Sequence, residues 1–208
     1  AETRGAARAF PGVAGDDHRR CRAMPLAYEE WVSRYLDDLY AAAACWVGDE
    51  ARAADLVVEA VRSGFRAFRA FRRGEGREGD VRLWLLGRLA RVYLARAGLP
   101  PDAVWADAEI RPRPTRPGAT PPPASPDGGE AARAVAAAWV RLDAGGRIVL
   151  GLVNVLGLRY AQAAACLGLP PERVRRIAAA ARERLAASAW AEMRRTTGNG
   201  RGTSGAVR

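Results

Sequence analysis

Residues 149–185 read VLGLVNVLGLRYAQAAACLGLPPERVRRIAAAARERL, and the turn in their middle decides the fold. Ala161, Ala164, Ala165 and Leu167 form a short helix of small residues that can approach a neighbour closely. Gly168 stops it at the position where a left-handed backbone costs least. Pro170 and Pro171 open the next helix, where a missing N–H removes no hydrogen bond. Val174, Ala178, Ala181 and Leu185 then recur at the spacing of a buried stripe, with Arg173, Arg176 and Arg184 expected on the opposite face. A short helix, a glycine turn and a longer basic helix make a helix-turn-helix signature. A solvated basic helix of an ordinary bundle would show the stripe, but not the turn chemistry.

Working upstream, residues 130–140 and 144–155 form two helices rich in Ala, Val and Leu that supply a core for this motif. Asp143 is placed to cap the second. Residues 100–129 hold nine of the 13 prolines, which marks an extended linker of at most roughly 90 Å at ~3.1 Å per residue. Inside it, Trp105 lies in DAVWADAEI and can dock as a short helix. Three more helices precede the linker. In the first, Tyr28, Trp31, Tyr35, Leu39, Ala43 and Trp46 keep helical spacing. The second spans about 50–73, burying Val57, Val61, Phe65 and Phe68. Its other face runs from acidic Asp55 and Glu59 to basic Arg62, Arg66, Arg69 and Arg73. That order complements the helix dipole, yet the run of arginines exceeds what a dipole needs. The third runs from a cap at Asp80 to Ala97, with Leu83, Leu86, Ala90 and Tyr93 inside and a basic exterior. The expected architecture is all-α: a three-helix N-terminal bundle and a four-helix C-terminal helix-turn-helix domain, joined by the proline-rich linker. Residues 1–25 and 196–208 read as disordered ends.

Charge divides along the same lines. All 33 basic residues are Arg, and the net charge is +10. Residues 128–208 carry 13 Arg against 5 acids, which suits a phosphate backbone. Residues 26–60 carry 2 Arg against 8 acids, which suits a basic partner instead. In the motif, Arg173 and Arg176 sit early on the second helix, where side chains reach base edges, and arginine there pairs bidentately with guanine. Glu172 can accept from a cytosine amino group or favour the helix N-terminus. Arg175 and Arg159 are phosphate candidates, and Arg184 lies further along the outward face.

The motif resembles the fourth conserved region of extracytoplasmic-function sigma factors, the small promoter-recognition subunits of bacterial RNA polymerase. The matching residues are Val149-Leu150, Gly157-Leu158, Tyr160, Ala164, Leu167-Gly168, Pro170, Val174 and Arg182-Glu183-Arg184-Leu185. The stretches GDEARAADLVVEAVRSGFRAF and LWLLGRLARVYLARA resemble the second conserved region of the same family. This resemblance implies that Asp55, Leu56 and Glu59 contact the polymerase clamp. It further implies that Arg82, Trp84, Arg88 and Arg91 meet the melted −10 element, with Leu85 as the alternative to Trp84 at the tryptophan position. The helix-turn-helix arginines would then read the −35 element. The chain departs from the family's pattern at Val58 (usually Gln), Val92 (commonly Asn) and Ile177 (usually basic). Implied partners are core RNA polymerase and promoter DNA, with an anti-sigma factor as a further candidate.

An enzyme is not expected. The single histidine, His18, and Cys21 have half of a metal-ligand spacing, and no second pair follows, so neither a metal nor another cofactor is predicted. There is no Lys for a Walker loop and no nucleophile beside a base. Cys45 and Cys166 lie in apolar runs and read as buried thiols. No run of about 18 apolar residues is present to span a membrane, and the first 23 residues lack a signal-peptide core, which together point to a cytoplasmic protein. Other readings are a different helix-turn-helix regulator, a degenerate sigma-like protein unable to dock on polymerase, and a helical adaptor whose arginines only solubilise it.

Overall fold

The computed structural model describes residues 26–73, 81–107 and 129–199, and every regular element among them is helical. The expected all-α class is what the chain adopts. Helices α1 (Leu26–Val47), α2 (Glu50–Arg73) and α3 (Val81–Arg96) form the N-terminal group. Gly48 takes φ 73° between α1 and α2, and the Asp49 carboxylate accepts the Arg52 N–H at 2.8 Å, so one residue ends a helix and the next starts another. The core here is aromatic. Tyr28 is fully buried, its ring 4.9 Å from Phe68 and its hydroxyl donating to the Val61 carbonyl at 2.7 Å. Trp31 and Tyr35, also expected inside, are half-buried and stack on each other at 6.1 Å.

A short helix α4 (Pro101–Asp107) follows, and Trp105 is buried against the rest, as its position in an otherwise proline-rich stretch suggested. The remainder of the proline-rich segment, the His18–Cys21 pair and the Asp80 cap lie outside the described residues.

The C-terminal group comprises α5 (Glu130–Val140), α6 (Ala144–Leu150), α7 (Tyr160–Leu167) and α8 (Pro171–Asn199). Asp143 caps α6, its Oδ1 accepting the Gly146 N–H at 2.6 Å. The single helix expected over 144–155 is instead α6 followed by one π-helical turn, Gly151–Val155. The Leu156 N–H reaches back five residues to Gly151 O at 3.0 Å, and Gly157 at φ 66° lets the Leu158 N–H bond to Leu152 O at 3.0 Å. Helix α8 continues past Arg195, the expected end, to Asn199.

The two groups share one continuous core. Helix α1 packs on α6 and the π turn, and α3 packs on α7. Gly151 is required at the first contact, because a Cβ there would lie 2.5 Å from Trp46 Nε1. Gly87 is required at the second, because a Cβ would lie 2.3 Å from the Cys166 carbonyl oxygen. Two polar ties run from the C-terminal group to α1 and a third joins α8 to α4. Trp139 Nε1 donates to Cys45 O at 2.9 Å, Arg147 to Trp46 O at 3.1 Å, and Arg173 to Trp105 O at 2.8 Å. No helix among the described residues is long and apolar enough to cross a membrane.

Candidate nucleic-acid interface

The motif that opened the sequence reading folds as a helix, a turn and a helix. Arg159 donates its backbone N–H to Gln162 Oε1 at 2.9 Å, fixing the start of α7 and leaving its own side chain exposed. Gly168 takes φ 70°, and the Leu169 N–H closes on Ala164 O at 3.0 Å. The buried face of α7 is Ala163, Ala164 and Cys166; Ala161 and Ala165, expected inside, are exposed. The reason is the α3 contact, which demands the Cys166 side of the helix. On α8, Val174, Ala178 and Ala181 are fully buried and Leu185 half-buried. Ile177 joins them at 0% exposure, so the position where the sigma family usually has a basic residue belongs here to the core.

The arginines expected on one outward face do not all lie there. Arg175 and Arg176 are exposed. Arg175 pairs with Glu172 at 3.1 Å and lies 5.9 Å over the Tyr160 ring. That pair is solvated on both sides and contributes little to stability. Arg173 turns instead toward α4 and donates to Trp105 O, its Nε buried. Arg184, expected outward, is half-buried and pairs with the cap residue Asp143 at 3.0 Å. Its three-residue offset from Ala181 brings it over the start of α6, beside the half-buried Asp143 carboxylate. Arg182 bridges the Tyr160 hydroxyl at 2.8 Å and Asn154 at 2.9 Å, which ties α8 to both α7 and the π turn.

In the N-terminal group the same sorting applies. Arg82 pairs with Asp38 at 2.7 Å, joining α3 to α1. Trp84 is half-buried, its ring 4.8 Å from Phe71, whereas Leu85 is fully buried; only Trp84 of the two can meet a ligand. Arg88 donates to the carbonyl and hydroxyl of Ser63 at 3.0 and 2.7 Å. Burial, and then the neighbouring charges of Arg91 and Arg66, lower its pKa. Arg91 is exposed beside it. Of the three residues implied in polymerase contact, Asp55 and Glu59 are exposed and Leu56 is 1% exposed. Leu56 faces the core because it lies three residues from Ala53 and four from Ala60, both buried. Glu59 pairs with Arg96, whose other nitrogen donates to Asp55 O at 3.2 Å. Val58, between the two acids, is 49% exposed.

Among the described residues no cluster of three or more His, Cys, Asp or Glu could hold a metal. Cys45 and Cys166 are free thiols whose pKa values burial pushes up to about 12. Sequence patterning did not single out Ser63, Phe71 or the Trp105 carbonyl, since these act through partners 13 to 68 residues away.

No family model matches this chain, and no curated protein matches it either. Among solved structures, it is similar to the sigma factor RpoE of Bartonella quintana, crystallised in complex with the anti-sigma factor NepR. The likeness has a TM-score of 0.52 at 20% identity and covers 78% of this chain and 96% of that one. The chain therefore has a fold like that of a sigma factor, extending well beyond the helix-turn-helix.

Proposed function

We propose that this chain is a sigma factor that docks on bacterial RNA polymerase core and directs it to promoter DNA. The observation that carries the proposal is the extent of the fold likeness. A helix-turn-helix regulator of another kind would share α7 and α8 without the three-helix group before them. The exposed face Arg159, Arg175 and Arg176 is the proposed reader of the upstream element. The edge formed by Trp84, Arg88 and Arg91 is the proposed contact to the melted downstream element, where stacking and phosphate pairing act together. Asp55 and Glu59 supply the acidic surface for the polymerase. Arg173 reaches DNA only when it releases the Trp105 carbonyl, so full promoter reading goes with displacement of α4 from α8. The proposed location is the cytoplasm, and an anti-sigma factor is a proposed partner by analogy with the similar complex.

Run-off transcription with purified core polymerase and a promoter library tests this directly. A defined transcript that depends on this chain, and falls when Arg176 is replaced by Ala, is the expected result. Absence of any chain-dependent transcript, with core polymerase active alongside a control sigma factor, would sink the proposal. One observation favours a second reading, a sigma-like protein that does not dock: the proposed docking face presents Val58, and Leu56 is buried within it. Failure to co-purify with core polymerase while duplex DNA still binds would select that reading.

A further inference from the structure

A cleft of about 360 Å³ opens between α2, α3 and α7, near the lower end of the ~300–1,000 Å³ typical of small-molecule sites. Phe71 and Trp84 form an aromatic plate on one side, their rings inclined by only 28°. Arg88 and Arg91 line it from α3, while Ala165 and Cys166 of the C-terminal group close the other side. Elsewhere on α3 two arginines have an acidic partner: Arg82 has Asp38 and Arg96 has Glu59. At the cleft no acid plays that part among the described residues: Arg88 bonds only to the neutral carbonyl and hydroxyl of Ser63, and Arg66 and Arg91 are exposed. Arg91 and nearby Arg66 have no hydrogen bond or ion pair among the described residues, and Arg88 keeps a buried Nε without a partner. Like charges gathered without a counter-charge repel one another and favour an anion between them.

We propose that this cleft binds a nucleoside phosphate, with the base against Trp84 and Phe71 and the phosphate between Arg88 and Arg91. The chemistry matches on both ends. A planar ring gains from stacking on an indole, and a phosphate gains from charge-assisted bonds to guanidinium groups. Because Cys166 and Ala165 belong to the other helical group, the site is complete only when the two groups are packed together. An occupied cleft therefore holds them together, and the ligand acts as a brake on their separation. The inference shares Trp84, Arg88 and Arg91 with the proposed promoter contact but does not depend on it, since the site is built in the packed arrangement.

The test uses the full chain and fluorescent N-methylanthraniloyl derivatives of ATP, GTP, CTP and UTP, followed by anisotropy. A twelve-residue single-stranded DNA forms a second arm. At least one nucleotide is expected to bind saturably. Arg91→Ala, at an exposed position, should weaken it roughly tenfold, and Trp84→Leu at least roughly fivefold. Gly87→Val, which drives α3 off α7, should abolish it, and Arg133→Ala on α5 should leave it within about twofold. No saturable binding by any nucleotide would overturn the proposal, as would binding that Arg91→Ala and Arg133→Ala weaken equally. Binding of the single strand alone would also overturn it, returning these side chains to the promoter reading; transcription by the chain tests that reading separately.

Discussion

Around Tyr28 the N-terminal helices meet through rings, whereas around Ala181 the C-terminal helices meet through methyl groups. Tyr28, Trp46, Phe68 and Tyr93 fill the first region, with ring centroids 4.9 to 5.7 Å apart along Tyr28–Phe68 and Trp46–Tyr93. Ala134, Ala138, Ala163, Ala164, Ala178 and Ala181 line the second, between aliphatic side chains such as Ile148, Leu152 and Ile177 and with no buried ring among the described residues. Rings bury 150–250 Å² each and tolerate wider helix spacing, while alanines allow close approach but leave little volume to trade. The first region should therefore respond most to lost volume and the second to added volume.

The largest expected effect breaks the seam that joins the two. Trp46→Ala empties a fully buried site that touches Tyr93 in one half and Gly151 in the other, and should cost ~3–5 kcal/mol in urea unfolding. A loss below ~1 kcal/mol would mean that the halves do not rely on this contact. Next, Ala181→Leu should cost ~1–3 kcal/mol through overpacking, since the Ala181 methyl already faces Gly146 closely. Phe68→Leu should be felt as lost volume of comparable size, and a reversed ranking of these responses would undo the contrast.

Two arginines of α8 sharpen it at the surface. Arg176→Ala should remove ~1–3 kcal/mol of sequence discrimination in duplex titrations. Arg184→Ala should do the opposite, lowering stability by about 1 kcal/mol or less with unaltered DNA binding, because it serves the α6 cap. A further effect, confined to alkaline pH, concerns protons. Both thiols, Cys166 buried and Cys45 half-buried, have pKa values raised from 9.0 to about 12, so the native state favours their neutral form. Their stabilisation is fully present below pH 9 and is lost as pH rises toward 12. Unfolding titrations from pH 7 upward should show a decline beginning near pH 9 that the Cys166→Ala variant reduces.

What was legible in the sequence follows from range. Gly168, Asp143 and the Val174–Ala178–Ala181 spacing act over three or four residues, so the turn, the cap and the buried stripe could be read directly. The docking of Trp105 was readable because a tryptophan in a proline-rich stretch needs somewhere to hide. The interface residues were less legible. Spacing alone put Arg184 and Arg173 on the outward face, but their partners Asp143 and Trp105 lie 41 and 68 positions earlier. Leu56 was assigned to a surface by its neighbours in a motif, while its own helical register buries it. The seam itself, with Gly87 against Cys166 and Gly151 against Trp46, has no local signature, because a glycine inside a helix does not say what approaches it.

Under the proposed function, the bond from Arg173 to the Trp105 carbonyl sets a toll on recognition. A guanidinium held by a carbonyl must leave it before it can grip a base edge, so only the released fraction of molecules competes for DNA with its full set of arginines. Only the part of the affinity that Arg173 adds scales with that fraction, since Arg159, Arg175 and Arg176 are exposed in either state. Anything that captures α4 elsewhere removes the toll, and strengthens the grip on DNA without touching it.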